Sequence, residues 1–257
     1  MYTVNEILNS LWELAPEACK EHWDNVGFLV GRGEAPVSRV LVALDLTEAV
    51  AAEAAELGCE LIVTHHPLIF GGVLQVTDQT PVGRRLLALI ERGIALISMH
   101  TNLDCAKGGV NDRLAEVLGL HNVFTYEDGE TAGLIRIGET EPQTLPEFAA
   151  FVKKALRCPG LRLASAGRPV RRVAVGGGSC GEYAERLAAA GCDTFVTADL
   201  KYHQFADAGA LGINLIDAGH FETEDPVCDV VIAHLQRQLS ALDVRKSAVH
   251  TGCIQYL

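Results

Sequence analysis

The sequence predicts an α/β fold in which two similar three-layer lobes, each with a mostly parallel sheet, arise from an internal duplication. Two observations support this prediction. Short apolar segments typical of buried strands alternate along the chain with helix-like segments, which favours parallel sheets covered by helices on both faces. The same alternation recurs in the second half with matching residues, which indicates that one α/β unit was duplicated.

The first half contains three segments predicted to be strands and three predicted to be helices. The strands are residues 39–44, 60–64 and 94–99, and the helices are residues 4–14, 47–57 and 81–92. Local signals support the helix ends, because Thr47 is a typical N-cap and Gly58 and Gly93 stand where a left-handed terminal residue is expected. The strands are short and apolar, as in the interior of a parallel sheet.

The duplication is visible as a gapless alignment of residues 39–66 with residues 172–199, an offset of 133 residues. Both segments contain the same Gly-Cys pair after the predicted helix and the same Val-Thr pair at the end of the second strand. The strand at residues 94–99 also resembles residues 213–218. We therefore expect both halves to share one topology.

Polar, turn-rich segments at residues 125–131 and 139–145 indicate a boundary between the lobes. The remaining predicted elements are a strand at residues 133–138, helices at residues 146–156 and 226–242, and a short terminal strand at residues 252–257. The terminal strand is expected to rejoin the first lobe. The first lobe is thus predicted to comprise residues 1–124 and 243–257 and the second residues 125–242, with no inserted domain.

Length and composition limit the functional classes. A chain of 257 residues is long enough for two lobes with their own cores. The formal net charge of −12 opposes general binding to nucleic-acid backbone but suits divalent cations. No apolar run approaches membrane-spanning length and no signal peptide is apparent, so we expect a cytoplasmic protein without membrane contact. Eight cysteines without a Cys-x-x-Cys pair favour reduced, buried thiols over a zinc finger.

Candidate metal ligands follow three of the predicted strands, at the strand ends where ligands gather in parallel sheets. They are His65 and His66 after residues 60–64, Asp104 after residues 94–99, and His220 and Glu224 after residues 213–218. Adjacent histidines suit two metals about 3.5–4 Å apart, because each ring can serve one ion. Histidine and carboxylate ligands together accept zinc, iron, manganese or nickel, so we expect divalent metal ions in the cleft between the lobes.

Other polar residues near these strand ends have alternative interpretations. His100 can be a ligand, a residue that orients a ligand or a proton carrier, and His203 is the second candidate for moving a proton. The segment at residues 201–203 either binds an anionic substrate or is a structural loop. The backbone of residues 176–178 either holds a phosphate or forms a tight turn, and it lacks the Gly-Lys-Ser/Thr of a P-loop.

Five motifs resemble those of the NIF-three-like family and occur in the family's order over nearly the whole chain. They are WDNVGFLVG at residues 23–31, THHPL at 64–68, HTNLD at 100–104, DLKYH at 199–203 and DAGHFETE at 217–224. The resemblance implies a duplicated α/β fold, a toroidal homohexamer and two metals per subunit. The family's metal ligands fall on His65, His66, Asp104, His220 and Glu224. Members are labelled GTP cyclohydrolase I type 2 homologues or dinuclear metal centre hexameric proteins.

Two functions remain open at this point. The first is a dinuclear metal-dependent hydrolase that acts on a nucleotide or related small molecule through a metal-bridging hydroxide, with His100 or His203 moving a proton. The second is a non-catalytic metal-binding regulatory or scaffold protein that forms a ring. The first predicts turnover, whereas the second predicts stable metal and partner capture without turnover.

Overall fold

The computed structural model describes residues 1–129 and 133–257 of the chain. The chain divides into two compact units, each made of two stretches of sequence. The first comprises Met1–Gly109 and Cys228–Thr251, and the second comprises Val110–Val227 and Gly252–Leu257. These boundaries differ from the lobe boundaries expected from sequence, because residues 110–124 and 252–257 group with the second unit and residues 228–242 with the first.

The helices and strands alternate along the described chain. Up to residue 129 they are β1 (Tyr2–Thr3), α1 (Val4–Leu14), β2 (Gly27–Val30), β3 (Pro36–Val37), β4 (Arg39–Ala43), α2 (Glu48–Leu57), β5 (Leu61–Thr64), α3 (Pro81–Arg92), β6 (Ala95–Ser98), α4 (Thr101–Cys105), α5 (Val110–Val117) and β7 (His121–Thr125). From residue 133 they are β8 (Arg136–Gln143), α6 (Leu145–Ala155), β9 (Arg162–Ala164), β10 (Val170–Val175), α7 (Ala184–Ala189), β11 (Thr194–Thr197), α8 (Tyr202–Leu211), β12 (Asn214–Asp217), α9 (His220–Glu224), α10 (Pro226–Gln238) and β13 (Asp243–Lys246). Within the described ranges, every helix is too short or too polar to cross a bilayer.

The first unit contains a five-stranded sheet in the order β13-β4-β5-β6-β2. The four strands from β13 to β6 are parallel, and β2 pairs antiparallel with β6 at the edge. Helices α2 and α3 cover one face, where Val50 and Leu89 pack against Leu41, Ile62 and Leu96 of the three central strands. All residues of β5 and β6 are buried, which explains why these strands are apolar throughout.

The second unit contains a six-stranded mixed sheet in the order β7-β8-β10-β11-β12-β9. Its central strands β10, β11 and β12 are parallel, and the outer pairings are antiparallel. Helices α5 and α6 pack on one face, where Phe148 meets Val173 and Val196. Helices α7 and α8 pack on the other, where Leu187 meets Phe195. The predicted three-layer α/β architecture is therefore confirmed, although the second sheet is less parallel than expected.

The register of the strands supports the internal duplication. Val40 pairs with Leu61 in the first unit, and the positions 133 residues later, Val173 and Thr194, pair in the second. A carboxylate at the start of the second strand is also retained. Glu60 accepts hydrogen bonds from the backbone N–H groups of residues 38 and 39, and its counterpart Asp193 accepts those of residues 171 and 172. The repeat therefore preserves both pairing and its hydrogen-bonded support.

In the second half, one expected strand has different bounds and another is not formed. The strand expected at residues 133–138 begins at Arg136 and continues to Gln143, because antiparallel pairing with β10 recruits residues that a polar composition assigned to a turn. Residues 252–257 form no strand. The helix expected at residues 226–242 ends at Gln238. The last strand is β13, which pairs parallel with β4. Residues 130 and 131 of the predicted polar segment lie outside the described residues.

Candidate metal centre

In the first unit, the polar residues of the site follow two neighbouring parallel strands. His65 and His66 come directly after β5, and His100 lies two residues beyond β6. Thr64 pairs with Ser98 in the last register position, and their hydroxyl groups are 2.8 Å apart. The strand ends are thus joined at the point where the chain turns, which brings the following histidines together.

The rings of His65, His66 and His100 form one cluster in the first unit. Each ring offers a nitrogen that lies within 4.8 Å of those of the other two. Centroid distances are 4.9 Å between His65 and His66, 5.2 Å between His65 and His100, and 5.5 Å between His66 and His100. His65 is buried, whereas the other two rings are partly exposed. The structure therefore brings His100 beside the predicted ligand pair.

The hydrogen bonds of the three rings determine which nitrogen can bind a metal. The Nδ1 atom of His65 is 2.7 Å from the carbonyl oxygen of Met99, and that of His66 is 2.8 Å from Asp45 Oδ1. The Nδ1 atom of His100 is 2.8 Å from Asp24 Oδ1. Because these oxygens only accept hydrogen bonds, each Nδ1 must carry the proton. In the neutral ring this leaves the lone pair on Nε2 as the metal donor.

Asp104 stands beside this cluster in α4. Its Oδ1 atom is 3.5 Å from Nε2 of His65, and its backbone N–H donates to the carbonyl of His100. The residue is buried. The first unit therefore places three of the predicted ligands, His65, His66 and Asp104, at the ends of β5 and β6.

Asp24 supports His100 from a buried position. Its carboxylate accepts hydrogen bonds from His100 Nδ1, from the backbone N–H of Thr101 at 3.0 Å and from the Thr101 hydroxyl at 2.5 Å. Burial raises the pKa of this carboxyl, but the hydrogen bonds from His100 and Thr101 outweigh it and hold the pKa well below its usual range. Asp24 is therefore an anion that orients the His100 ring.

Asp45 supports His66 in the same way and connects it to the end of the first unit. Its second oxygen, Oδ2, is 3.2 Å from Nε2 of His250, and the backbone N–H of Leu44 donates to Nδ1 of that ring. Burial raises the pKa of the Asp45 carboxyl, but hydrogen bonds from His250 and His66 hold it well below the usual range. Sequence reasoning missed His250, which lies 205 residues beyond Asp45. Asp45 itself follows β4 and could have been found by the strand-end rule.

The second unit presents His220 and Glu224 one turn apart in α9. Nε2 of His220 is 3.1 Å from Oε2 of Glu224, and its Nδ1 is 2.7 Å from Oδ2 of Asp199. Asp199 accepts a hydrogen bond from Nδ1–H of His220, so the Nε2 lone pair of the neutral ring faces the Glu224 carboxylate oxygen. Glu224 is buried, with 4% of its surface exposed. This unit therefore repeats the carboxylate–histidine arrangement of the first.

In the glycine-rich segment after β10, two backbone N–H groups donate to side chains of the second unit, and the absence of a side chain at Gly178 leaves room for Glu224. The N–H of Gly177 donates to Asn111 Oδ1, and that of Gly178 donates to Thr223 Oγ1. Gly178 has φ +65°, and a Cβ placed on it would overlap with Glu224 and lie 3.1 Å from His220 Nε2. The tight-turn interpretation is therefore the one that the hydrogen bonds favour.

His203 is not a member of the possible metal-holding groups among the described residues. It occupies the first turn of α8 and is exposed, as are its neighbours Lys201 and Tyr202. The residue of this motif that contacts a predicted ligand is Asp199, which orients His220. The role of His203 in proton transfer stays a prediction.

Comparison with known proteins identifies the family of the chain. The model of the Duf34/NIF3 (NGG1p interacting factor 3) family matches residues 2–252. The chain belongs to this family. It is 37% identical over 244 residues to the GTP cyclohydrolase 1 type 2 homolog of Clostridium perfringens, with 93% of each chain covered. A protein of the same name from Streptomyces coelicolor is 40% identical over 245 residues, covering 91% of this chain and 86% of its own.

A solved structure shows the same fold. The crystal structure of Staphylococcus aureus protein SA1388 matches with a TM-score of 0.90 and 31% identity, covering 100% of this chain and 99% of that chain. The resemblance inferred from the five sequence motifs is therefore confirmed for both family and fold.

The donor groups of this family member fit divalent metal ions. Four imidazole rings have Nδ1 held by an oxygen acceptor, and two carboxylates lie beside two of the Nε2 atoms. The Nε2 lone pair of His220 lies 3.1 Å from a carboxylate oxygen of Glu224. A cation or an added proton between these two electron-rich atoms stabilises the pair. A mixture of nitrogen and oxygen donors suits zinc, iron, manganese and nickel.

Proposed function

We propose that the protein is a divalent-metal-dependent hydrolase that acts on a nucleotide or a related small molecule. The observation that supports this proposal is the shared geometry of the histidines, each with Nδ1 fixed and Nε2 beside a carboxylate or a second histidine. Relatives that carry the name GTP cyclohydrolase 1 type 2 homolog also support it.

The proposed ligand set takes His65, His66 and Asp104 from the first unit and His220 and Glu224 from the second, and it would hold two ions. Such ions would lower the pKa of water toward about 7, which would supply hydroxide as a nucleophile, and would polarise a substrate oxygen. The chain's own contribution is to fix the rings. The carboxylates of Asp45 and Asp199 hold His66 and His220 in one tautomer and one orientation.

His100 is the residue that we propose to move a proton. Its ring lies against both His65 and His66, and Asp24 holds its Nδ1 proton, so Nε2 is the atom that can accept one. The exposed His203 is the alternative. Replacement of His100 by Gln should reduce turnover while metal content is kept, whereas a His100 that binds metal would lose metal in the same variant.

The proposal is tested by metal analysis and turnover on protein purified without chelators. We expect about two equivalents of divalent metal per chain, and hydrolysis of a nucleoside triphosphate or a related phosphoester. His65→Ala and Glu224→Ala should each lose metal and activity, because they remove donors from different units. His121→Ala, an exposed histidine on β7, is the matched control and should change neither. Metal-free protein, or full metal content without turnover of any such substrate, would contradict the hydrolase proposal, and the latter would favour a metal-binding scaffold.

We further propose a toroidal homohexamer in the cytoplasm, without nucleic acid as a ligand. The family resemblance supports the ring, the net charge of −12 opposes nucleic-acid binding, and the eight cysteines carry thiols, as expected in a reducing compartment. Light scattering coupled to gel filtration should give about six times the mass of the chain. A monomeric mass at micromolar concentration would contradict the ring.

A further inference from the structure

Two exposed aromatic residues lie beside the histidine cluster of the first unit. Trp23, in the loop before β2, is 52% exposed, and Phe70, in the loop after β5, is 60% exposed. Their ring centroids are 5.6 Å apart with an interplanar angle of 57°. Both lie nearly edge-on to His100, at centroid distances of 6.1 Å and 6.3 Å. The three rings thus form one continuous aromatic surface that ends at His100.

The backbone that carries these rings is held in place by polar contacts. Asp24, next to Trp23, is buried and accepts hydrogen bonds from His100 and Thr101. The side-chain amide of Asn25 donates to the backbone carbonyl of Ile69, at 2.7 Å, and so joins the loop of Trp23 to the loop of Phe70. The backbone that carries both rings is therefore fixed by contacts within the first unit, which reduces the entropy lost when a ligand binds.

Neighbouring aromatic rings that are exposed to water form an apolar patch, a feature typical of binding sites. Their position limits what binds there. His100 lies against His65 and His66, so a molecule stacked on Trp23 has neighbouring atoms near the histidine nitrogens. Two tilted rings form a corner that suits a single flat ring system, since one face can stack and one edge can contact the second ring.

We propose that Trp23 and Phe70 bind a planar heteroaromatic ring of the substrate, of the kind that a nucleotide carries. This inference rests on the proposed function, because it takes the reacting atoms of the substrate to lie at the histidine cluster. Trp23 supplies the stacking face and Phe70 the edge. Neither residue holds metal, so the pair determines which molecules bind and leaves the metal content unchanged.

The test compares guanosine 5′-monophosphate with ribose 5-phosphate, which has the same sugar phosphate without the base. Their dissociation constants are measured by calorimetry on the full-length protein with its metal. Trp23→Leu should raise the constant for the nucleotide by about 5- to 150-fold, the range for loss of one stacked base, and leave that for ribose 5-phosphate unchanged. Trp23→Phe should restore most of the affinity. Phe151→Leu, which removes an exposed aromatic ring of the second unit, is the matched control and should have no effect.

Several outcomes would overturn the stacking site. They are absence of nucleotide binding to the unaltered protein at millimolar concentration, equal losses for both ligands in Trp23→Leu, and no loss for either. A changed oligomeric mass in Trp23→Leu with unchanged nucleotide affinity would instead assign the pair to an interface between copies. Metal content and hydrolysis are measured separately. If nucleotide binding depends on Trp23 but no hydrolysis occurs, only the hydrolase proposal is contradicted. If hydrolysis occurs and does not change when Trp23 is replaced, only the stacking site is contradicted.

Discussion

Replacement of Gly178 by alanine should weaken metal binding through Glu224 rather than through general loss of stability. Gly178 has φ +65°, a conformation that costs an alanine about 1–2 kcal/mol. The new Cβ would also lie 3.1 Å from Cδ of Glu224 and closer still to Oε1. Carbon atoms in contact are normally about 3.5–4.0 Å apart, so the carboxylate must retreat by roughly 0.5–1 Å.

The retreat moves Glu224 relative to His220, whose Nε2 atom is also 3.1 Å from the new Cβ. Disturbance of the groups that support metal ligands typically lowers affinity by about 10- to 100-fold, and we expect a loss in that range. Competition with a coloured chelator measures the metal dissociation constant, and thermal unfolding of the metal-free protein measures stability.

Gly191→Ala provides the matched control. Gly191 has φ +84°, so an alanine there suffers comparable backbone strain, but a Cβ at this position has no neighbour within 4 Å. Both variants should lose stability, and Gly178→Ala alone should lose metal affinity. Equal metal affinity in the two variants would refute the reasoning, because it would show that the contact with Glu224 does not position the carboxylate for a metal ion.

Three other predictions follow from the same geometry. His250→Leu should lower metal affinity by about 10-fold, because Asp45 then loses the hydrogen bond that holds it in position to orient His66. The control is His234→Leu, which removes a buried histidine that is hydrogen-bonded to Ser10 and should reduce stability without lowering metal affinity. Glu60→Gln should lower the unfolding temperature at neutral pH. Burial raises the pKa of the Glu60 carboxyl, but hydrogen bonds from the backbone N–H groups of Arg39 and Ser38 outweigh it and lower the pKa in the folded protein. The difference between the two proteins should therefore shrink as the pH falls below about 4.3, the value of an unperturbed glutamate, and vanish once the pH is below the lowered pKa of the folded carboxyl. Removal of metal by a chelator should lower the unfolding temperature, by an amount equivalent to about 2.7 kcal/mol if the free metal had been 100 times its dissociation constant, and re-addition should restore it. The metal prediction is contradicted if the unfolding temperature does not change when metal is removed. The Glu60 prediction is contradicted if the effect of Glu60→Gln persists in acid. The His250 prediction is contradicted if His234→Leu lowers metal affinity as much as His250→Leu does.

The two copies of the repeat have diverged at their strand ends. Position 66 of the first copy carries a histidine that is oriented by Asp45, whereas the equivalent position of the second copy, 133 residues later, carries Asp199, which orients His220. Position 45 itself corresponds to Gly178, which leaves space for Glu224. The same backbone frame thus supplies a proposed metal ligand in one unit and, in the other, a carboxylate that orients a proposed ligand.

Elements whose signals are local were predictable from the order of the amino acids. Thr47 caps α2 by accepting the N–H of Val50, and Gly58 ends the same helix in the left-handed conformation, as both residue types predict. Strand ends are also local features, so sequence patterns were enough to place His65, His66 and Asp104 at one edge of a parallel sheet. The five family motifs point to the same three residues as candidate ligands.

Features that depend on distant partners emerged only when the chain was folded. Asp24 lies 76 residues from His100 and His250 lies 205 residues from Asp45, and no periodicity links such positions. Polar residues form part of β8 because they pair with β10 in an antiparallel arrangement. The last strand of the chain is β13, which pairs with β4, and not the strand expected at residues 252–257. Sequence patterns therefore identified the histidines, whereas folding determined which nitrogen of each ring can bind a metal, because the acceptors that hold the Nδ1 protons come from other strand ends and loops.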